Sequence, residues 1–480
     1  MRIEVVLRYI GVVFIIISSF LFISFLLALL WQENTWILFL YSTLIALVLG
    51  FFPVIFVPKT DYLTTLEGVF IVVTGWISIC ILGMLPYILW GGEFSLINAW
   101  FESVSGFTTT GSSILQDVEA LPKSLLFWRS STHWLGGIGV IIYAILILPQ
   151  SGSARLILMG SEFSNLAKSN FQYRTREIAK ILVFVYFGLT LLETLALTLL
   201  GMSLFDAVNH TFATVATGGF STRNASIAAF DNVGIEICIM IFMVLSGIHF
   251  GLIYNTIVRK KGNLFDSTLV RAYLAFIIVG IGFVSLKLFW SGSFESFGQS
   301  LRYGSFQVIS LATTTGFASA DSSVWPDFTQ FILIYFTIQC AMAGSTSGGL
   351  KFDRVWIFFK SFGRQIKLLQ HPRGVFTVKI DGKVIDDNLE VHTLVFIIFY
   401  ILIIFVSTLI LTTYDIDIRT AFSAAAATIG NVGPGFGKVS SLGNFSDIPA
   451  FGKFVLAANM LLGRLEIFGI ISLFFRKTWW

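Results

Sequence analysis

Ten long apolar runs, each able to cross about 30 Å of hydrocarbon, alternate with polar connections along the chain. They fall near residues 8–30, 35–57, 68–90, 125–149, 179–201, 232–257, 268–290, 328–350, 391–413 and 451–475. Four further stretches, Ser95–Phe107, Ser203–Thr214, Gly298–Ala312 and Ile418–Ala427, also read as helices. At about ten to fifteen residues they are too short to span a bilayer. Each runs into a loop holding a glycine: Thr108-Thr109-Thr110-Gly111-Ser112, Val215-Ala216-Thr217-Gly218-Gly219, Thr313-Thr314-Thr315-Gly316-Phe317 and Ala427-Thr428-Ile429-Gly430-Asn431. Gly111, Gly218, Gly316 and Gly430 recur at intervals of roughly a hundred residues, which predicts a fourfold internal repeat.

One such loop alone reads as a surface turn. Four of the same polarity, each between apolar runs, read as re-entrant loops around one axis. Non-helical backbone at membrane depth must line water or be enclosed by protein. A half-helix entering from outside points its partially negative C-terminus at the membrane centre, where a cation is stabilised. The residues that follow must be extended, with carbonyls turned inward; glycine permits positive φ and close approach, and threonine adds a hydroxyl acceptor. A ring of carbonyls replaces the hydration shell of an alkali cation. The pattern predicts an ion pathway.

Composition places the chain in lipid: of 480 residues, 56% are hydrophobic, 50 are Phe, and only 12% are charged. A soluble surface needs about a quarter of its residues charged. The first run has no small-residue cleavage site after it and reads as a retained helix, not a signal peptide. Lys and Arg cluster in alternate connections: Arg2 and Arg8; Arg155, Lys168, Arg174, Arg176 and Lys180; Arg259, Lys260, Lys261 and Arg271; Lys351 to Lys383; and Arg476-Lys477. The positive-inside rule puts these, and both termini, in the cytoplasm. The glycine loops share the opposite side with Glu93, Glu102, Asp117, Glu119, Asp206, Asp321, Asp327, Asp415, Asp417 and Asp447. A net charge of +4, split between faces, gives no footprint for nucleic acid. Cys80, Cys238 and Cys340 stand alone in apolar runs, with no metal-ligand spacing.

Three other features carry possible chemistry. Ala343–Gly349 is a mid-span run of small residues, read either as a flexible intramembrane loop or as close helix packing. Arg464 lies in the last apolar run, where a charge costs on the order of 3 kcal/mol, so it must face a cavity or a partner. His133, His210 and His249 are candidate proton-relay groups or satisfied buried imidazoles. A membrane-embedded enzyme is the contrasting reading, with Ser221 and His210 as nucleophile and base. No Gly-x-Ser-x-Gly or His-Glu-x-x-His supports it, and fourfold repetition of a catalytic site has no rationale. Segment 351–390, with turns at His371-Pro372-Arg373-Gly374 and Asp381-Gly382, is too short for a nucleotide-binding domain.

With these loops in place, the chain resembles the Trk/Ktr/HKT superfamily of potassium transporters, and most the TrkH/TrkG branch. The resemblance is carried by Trp128-Arg129-Ser130 through His133-Trp134-Leu135-Gly136-Gly137-Ile138-Gly139, by Gly218-Gly219-Phe220-Ser221-Thr222 and by Ala343-Gly344-Ser345-Thr346-Ser347-Gly348-Gly349-Leu350-Lys351. Gly430-Asn431-Val432-Gly433-Pro434-Gly435 and Gly463-Arg464-Leu465-Glu466 complete it. It implies an all-α polytopic membrane protein with four M1–P-loop–M2 repeats around one pore, preceded by a two-helix hairpin. The expected units are 1–62 for the hairpin, then 63–150, 151–262, 263–385 and 386–480 for the repeats. It implies potassium uptake across a bacterial cytoplasmic (inner) membrane, as a homodimer, under a TrkA-type cytoplasmic nucleotide-binding subunit. A sodium- or proton-coupled symporter of the same fold is the alternative. By the resemblance, the potassium ion is held in the filter by Thr109, Thr110, Gly111, Ala216, Thr217, Gly218, Thr314, Thr315, Gly316, Thr428, Ile429, Gly430 and Asn431. Gly344, Ser345, Thr346, Ser347, Gly348, Gly349 and Arg464 form the implied gate, the arginine opposing cation passage.

Overall fold

The computed structural model describes residues 2–60, 63–147, 175–260, 263–465 and 467. Its elements are almost all helical. The one sheet among the described residues is a small hairpin of β1 (Lys379–Ile380) and β2 (Lys383–Val384). Its turn is Asp381-Gly382, both at positive φ as such tight turns demand.

The chain begins with α1 (Ile3–Leu30) and α2 (Trp36–Phe56), packed against each other. Small residues let the backbones approach: a Cβ on Gly11 would lie 2.6 Å from the Gly50 carbonyl oxygen. A grouping of long helix, short helix and second helix then recurs. It comprises α3 (Thr65–Gly83) with its continuation α4 (Leu85–Trp90), α5 (Leu96–Phe107) and α6 (Lys123–Ile147); then α7 (Thr175–Leu199), α8 (Leu204–Val215), α9 (Val233–Gly247) and α10 (Phe250–Tyr254). Next come α11 (Thr268–Trp290), α12 (Phe297–Ala312), α13 (Asp327–Ile338) and α14 (Phe352–Gln370), and finally α15 (Asp387–Thr412), α16 (Ile418–Ile429) and α17 (Ala450–Arg464). The four short members α5, α8, α12 and α16 have 12, 12, 16 and 12 residues.

Six described helices are long and apolar enough to cross a membrane: α1, α2, α3 with α4, α7, α11 and α15. Their outer faces carry exposed apolar side chains such as Phe52, Ile55, Leu192, Ile278, Phe283, Ile398 and Phe405. Apolar exposure on this scale fits lipid as the solvent. Helix α6 is different: from Leu125 to Gly139 it is enclosed by protein, which is why it tolerates Arg129 and His133.

Two expected spans are broken. The run 232–257 bends by 104° between α9 and α10, where Ile248 is extended and His249 caps α10 by accepting the Gly251 N–H at Nδ1, 3.0 Å. The run 328–350 is helical only to Ile338 and then leaves the helix until Phe352. The two breaks meet. The Met342 N–H donates to the Gly247 carbonyl (3.1 Å) and the Phe250 N–H to the Gly344 carbonyl (3.1 Å), so each interruption satisfies backbone groups freed by the other. In the last run, helix α17 ends at Arg464; Glu466, Arg476 and Lys477 lie outside the described residues, as do Arg155, Lys168 and Arg174.

Candidate functional site

The four short helices are built alike. Each starts on a side-chain cap: Ser95, Ser203 and Ser296 hydroxyls accept the N–H groups of Asn98, Asp206 and Gln299, and the Asp417 carboxylate accepts that of Thr420. Each also ends in the same paired bonds. Thr109, Thr217, Thr314 and Asn431 donate to the carbonyls of Gly106, Thr214, Leu311 and Thr428, at 2.9–3.2 Å. The next residues, Thr110, Gly218, Thr315 and Val432, donate to Ser105, Ala213, Ser310 and Ala427, at 2.7–2.9 Å. This is the Schellman pattern, which usually has glycine at its left-handed position. Here that position holds Thr109, Thr217, Thr314 and Asn431, with φ of 54, 56, 60 and 52°. A β-branched residue there costs about 1–3 kcal/mol and persists only where its surroundings over-determine it.

The caps set the register of the loops, and the glycines follow from it. Gly111, Gly219, Gly316 and Gly433 come two residues after the left-handed position, at φ of 86, 81, 79 and 99°. Each abuts the loop that follows another of the four short helices. A Cβ on Gly111 would overlap the Gly218 carbonyl oxygen, one on Gly219 that of Thr315, and one on Gly316 that of Val432. A Cβ on Gly433 would lie 2.5 Å from the Thr110 carbonyl oxygen. These contacts close into a ring. All four glycines also line one cavity of about 100 Å³, together with Ser112, Ser221, Pro434 and Asn444.

The register corrects two expected positions. Gly218, in place of Gly219, sits at the level of Thr110 and Thr315 and contributes the carbonyl that Gly111 meets. Gly430 is the C-cap of α16, at the level of Thr108, Ala216 and Thr313, while Thr428 and Ile429 are still helical. The residues of the fourth loop that match Thr109 and Thr110 are Asn431 and Val432. Interval from the N-cap carries the missed signal: Ser95 to Gly111, Ser203 to Gly219 and Asp417 to Gly433 each span sixteen residues.

Beneath the ring lies the stretch between α13 and α14. The Thr346 hydroxyl donates to the Val215 carbonyl at 3.0 Å, so the stretch touches the end of α8. A Cβ on Gly348 would strike the Asn431 side chain, and one on Gly349 would lie 2.8 Å from the Gly430 Cα. The stretch is closed at its base, where the Cys340 N–H meets the Leu350 carbonyl (2.9 Å) and the Ala343 N–H meets the Asp353 carboxylate (2.7 Å). Ser345 and Ser347 hydroxyls are 2.8 Å apart, and the Lys351 ammonium bonds the Ser347 carbonyl. Arg464, buried, donates from Nη1 to the Thr346 carbonyl (2.6 Å) and from Nη2 to the Gly136 carbonyl (2.8 Å).

The pairing of the groups that brace the glycine ring was not visible in the sequence, although His133 and His210 were candidates there. Arg129 and Glu102 form a buried ion pair at 2.6 Å. Glu102 also accepts from the Ser113 hydroxyl and the Ile114 N–H, while Arg129 donates to the Ser221 carbonyl and stacks over Phe220, 3.5 Å from its centroid. One pair thereby ties the segments that follow the first and second glycines. His133 ties the last turn of α5 to the segment after the second glycine: its Nδ1 faces the Gly106 carbonyl (2.8 Å) and its Nε2 accepts the Phe220 N–H (3.2 Å). That fixes a neutral Nδ1–H tautomer. His210 bonds the Asp206 carbonyl and the Ser221 hydroxyl (2.9 Å), holding Ser221 to α8. Farther out, Asn224 bridges Asp117, Val118 and Glu119, and its amide holds the Asp117 carboxyl below the usual range. The oxygens that meet the ring glycines are the backbone carbonyls of Gly218, Thr315, Val432 and Thr110.

Apolar spans, enclosed loops and a carbonyl-lined ring define a multi-pass helical membrane protein of the transport class. A family model described as TrkH, cation transport protein, matches residues 59–478, and the chain belongs to that family. It is 33% identical to the Trk system potassium uptake protein TrkH of Escherichia coli K12 over 485 aligned residues, covering all of both chains. It is 34% identical to TrkG of the same strain over 87% of this chain and 86% of that one. The crystal structure of the potassium transporter TrkH from Vibrio parahaemolyticus superposes with a TM-score of 0.89 at 30% identity, each chain covered completely. These relatives are transporters, and the Ser221–His210 pair is not the centre of an enzyme.

Proposed function

We propose that the protein takes up potassium across a bacterial inner membrane, with four repeats surrounding one pore, a leading helical hairpin, and both termini in the cytoplasm. The observation that carries this reading is the closed succession in which Gly111, Gly219, Gly316 and Gly433 each meet the carbonyl of the next loop. Carbonyls of Thr110, Gly218, Thr315 and Val432 then supply one level of oxygen ligands, in place of water around a bare cation. Four helix C-termini, each worth about half a negative charge, stabilise the ion from below. The paired cap hydrogen bonds and the neighbouring loops hold Thr109, Thr217, Thr314 and Asn431 in the left-handed conformation, which keeps the oxygens at a fixed spacing.

In the same reading, the Ala343–Gly349 stretch obstructs the path below the filter and Arg464 sets an electrostatic barrier there. Movement of this stretch opens the pathway. A TrkA-type nucleotide-binding partner docks on the basic cytoplasmic surface that includes Lys360, Arg364 and Lys367 and drives that movement in a homodimer. The test is a set of reversal potentials in proteoliposomes under potassium, sodium and pH gradients. Passive potassium selectivity gives a reversal potential that follows the potassium gradient alone; a shift with pH or sodium at fixed potassium converts the reading to coupled symport. No potassium dependence overturns it.

A further inference from the structure

Asn431, the left-handed residue of the fourth loop, uses its side chain differently from its three counterparts. The Thr109 and Thr314 hydroxyls have no hydrogen-bond partner among the described residues, and the Thr217 hydroxyl turns back to the Ala216 carbonyl. The Asn431 amide, fully buried, crosses to the first loop. Its Nδ2 donates to the Thr110 hydroxyl and to the Met460 carbonyl of α17, both at 2.9 Å. A carbonyl only accepts, so the amide nitrogen faces Met460, and Thr110 accepts the second N–H. The Thr110 hydroxyl then gives its own proton to Thr108 (2.8 Å), whose proton goes to the Val104 carbonyl (2.6 Å). A one-way chain of donors thus runs from the fourth loop to the last turn of α5.

The amide oxygen of Asn431 has no hydrogen-bond partner among the described residues, and two glycines hem it in. A Cβ on Gly463 of α17 would lie 2.7 Å from that oxygen. One on Gly348, in the stretch between α13 and α14, would lie 2.6 Å from the Asn431 Cβ and 2.8 Å from its Cγ. Gly348 is not at positive φ, so close approach to Asn431, and not backbone conformation, is what excludes a side chain there. The other end of the amide bears on the ring. The Thr110 carbonyl is one of those that meet a ring glycine, 2.5 Å from a Cβ built on Gly433. The same two loops are joined again by the Ser112 hydroxyl, which donates to the Gly433 carbonyl at 2.9 Å. Loss of the Asn431 amide would remove one of these ties and free the Thr110 side chain to rotate.

We propose that Asn431 is a positioning residue for ion selection: its amide holds Thr110 in register with the ring, and Gly348, outside the ring, sets where that amide lies. The effect on selection rests on the potassium reading; the packing of Gly348 on Asn431 does not.

The experiment compares wild type, Gly348→Ala, Asn431→Gly and the double variant by potassium and sodium isotope flux in vesicles, and by melting temperature in detergent. Glycine at 431 removes the amide without straining a left-handed backbone. Each single variant is expected to lower the potassium-to-sodium ratio by roughly twofold to tenfold, the range for one neutral hydrogen bond. The double variant is expected to match Asn431→Gly, because the added methyl group has no amide left to displace. Melting temperature supplies the independent arm: Gly348→Ala should lower it in wild type and much less in the Asn431→Gly background. A Gly348→Ala protein that changes total flux but keeps the wild-type ratio would overturn the proposal, since obstruction alone explains that result. An Asn431→Gly protein with a lower melting temperature and the wild-type ratio would do the same, as would single effects on the ratio that multiply in the double variant. If Gly348→Ala does not fold, the ratio of Asn431→Gly decides. If wild type prefers no cation, the potassium reading fails by itself, and additive melting temperatures would separately overturn the contact between Gly348 and Asn431.

Discussion

Arg464 donates to the Thr346 carbonyl at 2.6 Å across 118 residues of sequence, fastening the last described helix to the non-helical stretch between α13 and α14. Its second amino group reaches the Gly136 carbonyl on α6, so one guanidinium fork joins three parts of the chain. The residue thus has two separable effects below the ring: a charge, and a mechanical tie.

Replacing it tests both. At an effective dielectric of about 20, a unit charge about 6 Å from a permeating cation opposes it by roughly 3 kcal/mol. Arg464→Ala is expected to raise maximal potassium flux while leaving the potassium-to-sodium ratio unchanged. Arg464→Lys keeps the charge but not the fork and should raise flux less. Melting temperature and flux on one preparation check this; a stable Ala variant with lower flux contradicts it.

The stretch that Arg464 holds should itself restrict flow. Deleting Ser345–Ser347 removes the Thr346 contacts to Val215 and Ser246 and the acceptor for Arg464. Flux is expected to increase, and control by a cytoplasmic partner to weaken. A deletion variant that folds and conducts like wild type would return the stretch to passive packing.

At the ring, Gly219→Ser and Gly433→Ser should reduce discrimination of potassium over sodium, as should Gly111→Ser and Gly316→Ser. At each position a side chain enters space held by a neighbouring carbonyl, on backbone at positive φ. Gly430→Ala should behave differently. Its Cβ would meet the Thr337 carbonyl oxygen of α13 at 2.7 Å, and no carbonyl of another glycine loop. The expected outcome is a lower melting temperature with the ion ratio of the folded protein retained, measured by paired isotope fluxes.

The Glu102–Arg129 pair supplies a stability test. Arg129 is 2% exposed and Glu102 fully buried, so Glu102→Ala strands a cation away from water. A loss of about 3–5 kcal/mol is expected. The double change Glu102→Gln with Arg129→Gln should cost less than Glu102→Ala alone, because no buried charge is left uncompensated. Thermal unfolding in detergent measures both, and a single variant as stable as wild type would contradict the pair's role.

What could be read from the sequence was local. Apolar runs located the long helices because lipid demands length and composition from each segment separately. The short helices were visible for a similar reason: Ser95, Ser203 and Asp417 mark their starts with side chains that act within three residues. Alignment of the loops was harder. Gly218-Gly219 and Gly430…Gly433 each offer two glycines, and glycine alone does not reveal which one takes positive φ. The left-handed position is occupied in three loops by threonine, which avoids it in isolation, and in the fourth by asparagine, which tolerates it; contact with neighbouring loops holds the threonines there. The breaks in the runs 232–257 and 328–350 had the same origin, since each is satisfied by hydrogen bonds from the other.

Tertiary structure alone decided the partners of the buried charges. Arg129 finds Glu102 across 27 residues, and Arg464 finds Gly136 across 328. Insertion cost tells that such a charge must be answered, but not by which group, because the answering dipole or carboxylate is brought by packing of helices distant in the chain. Glu193 marks the opposite case: it lies in an otherwise apolar run, and the packing around α7 leaves it buried with neither carboxyl oxygen hydrogen-bonded among the described residues.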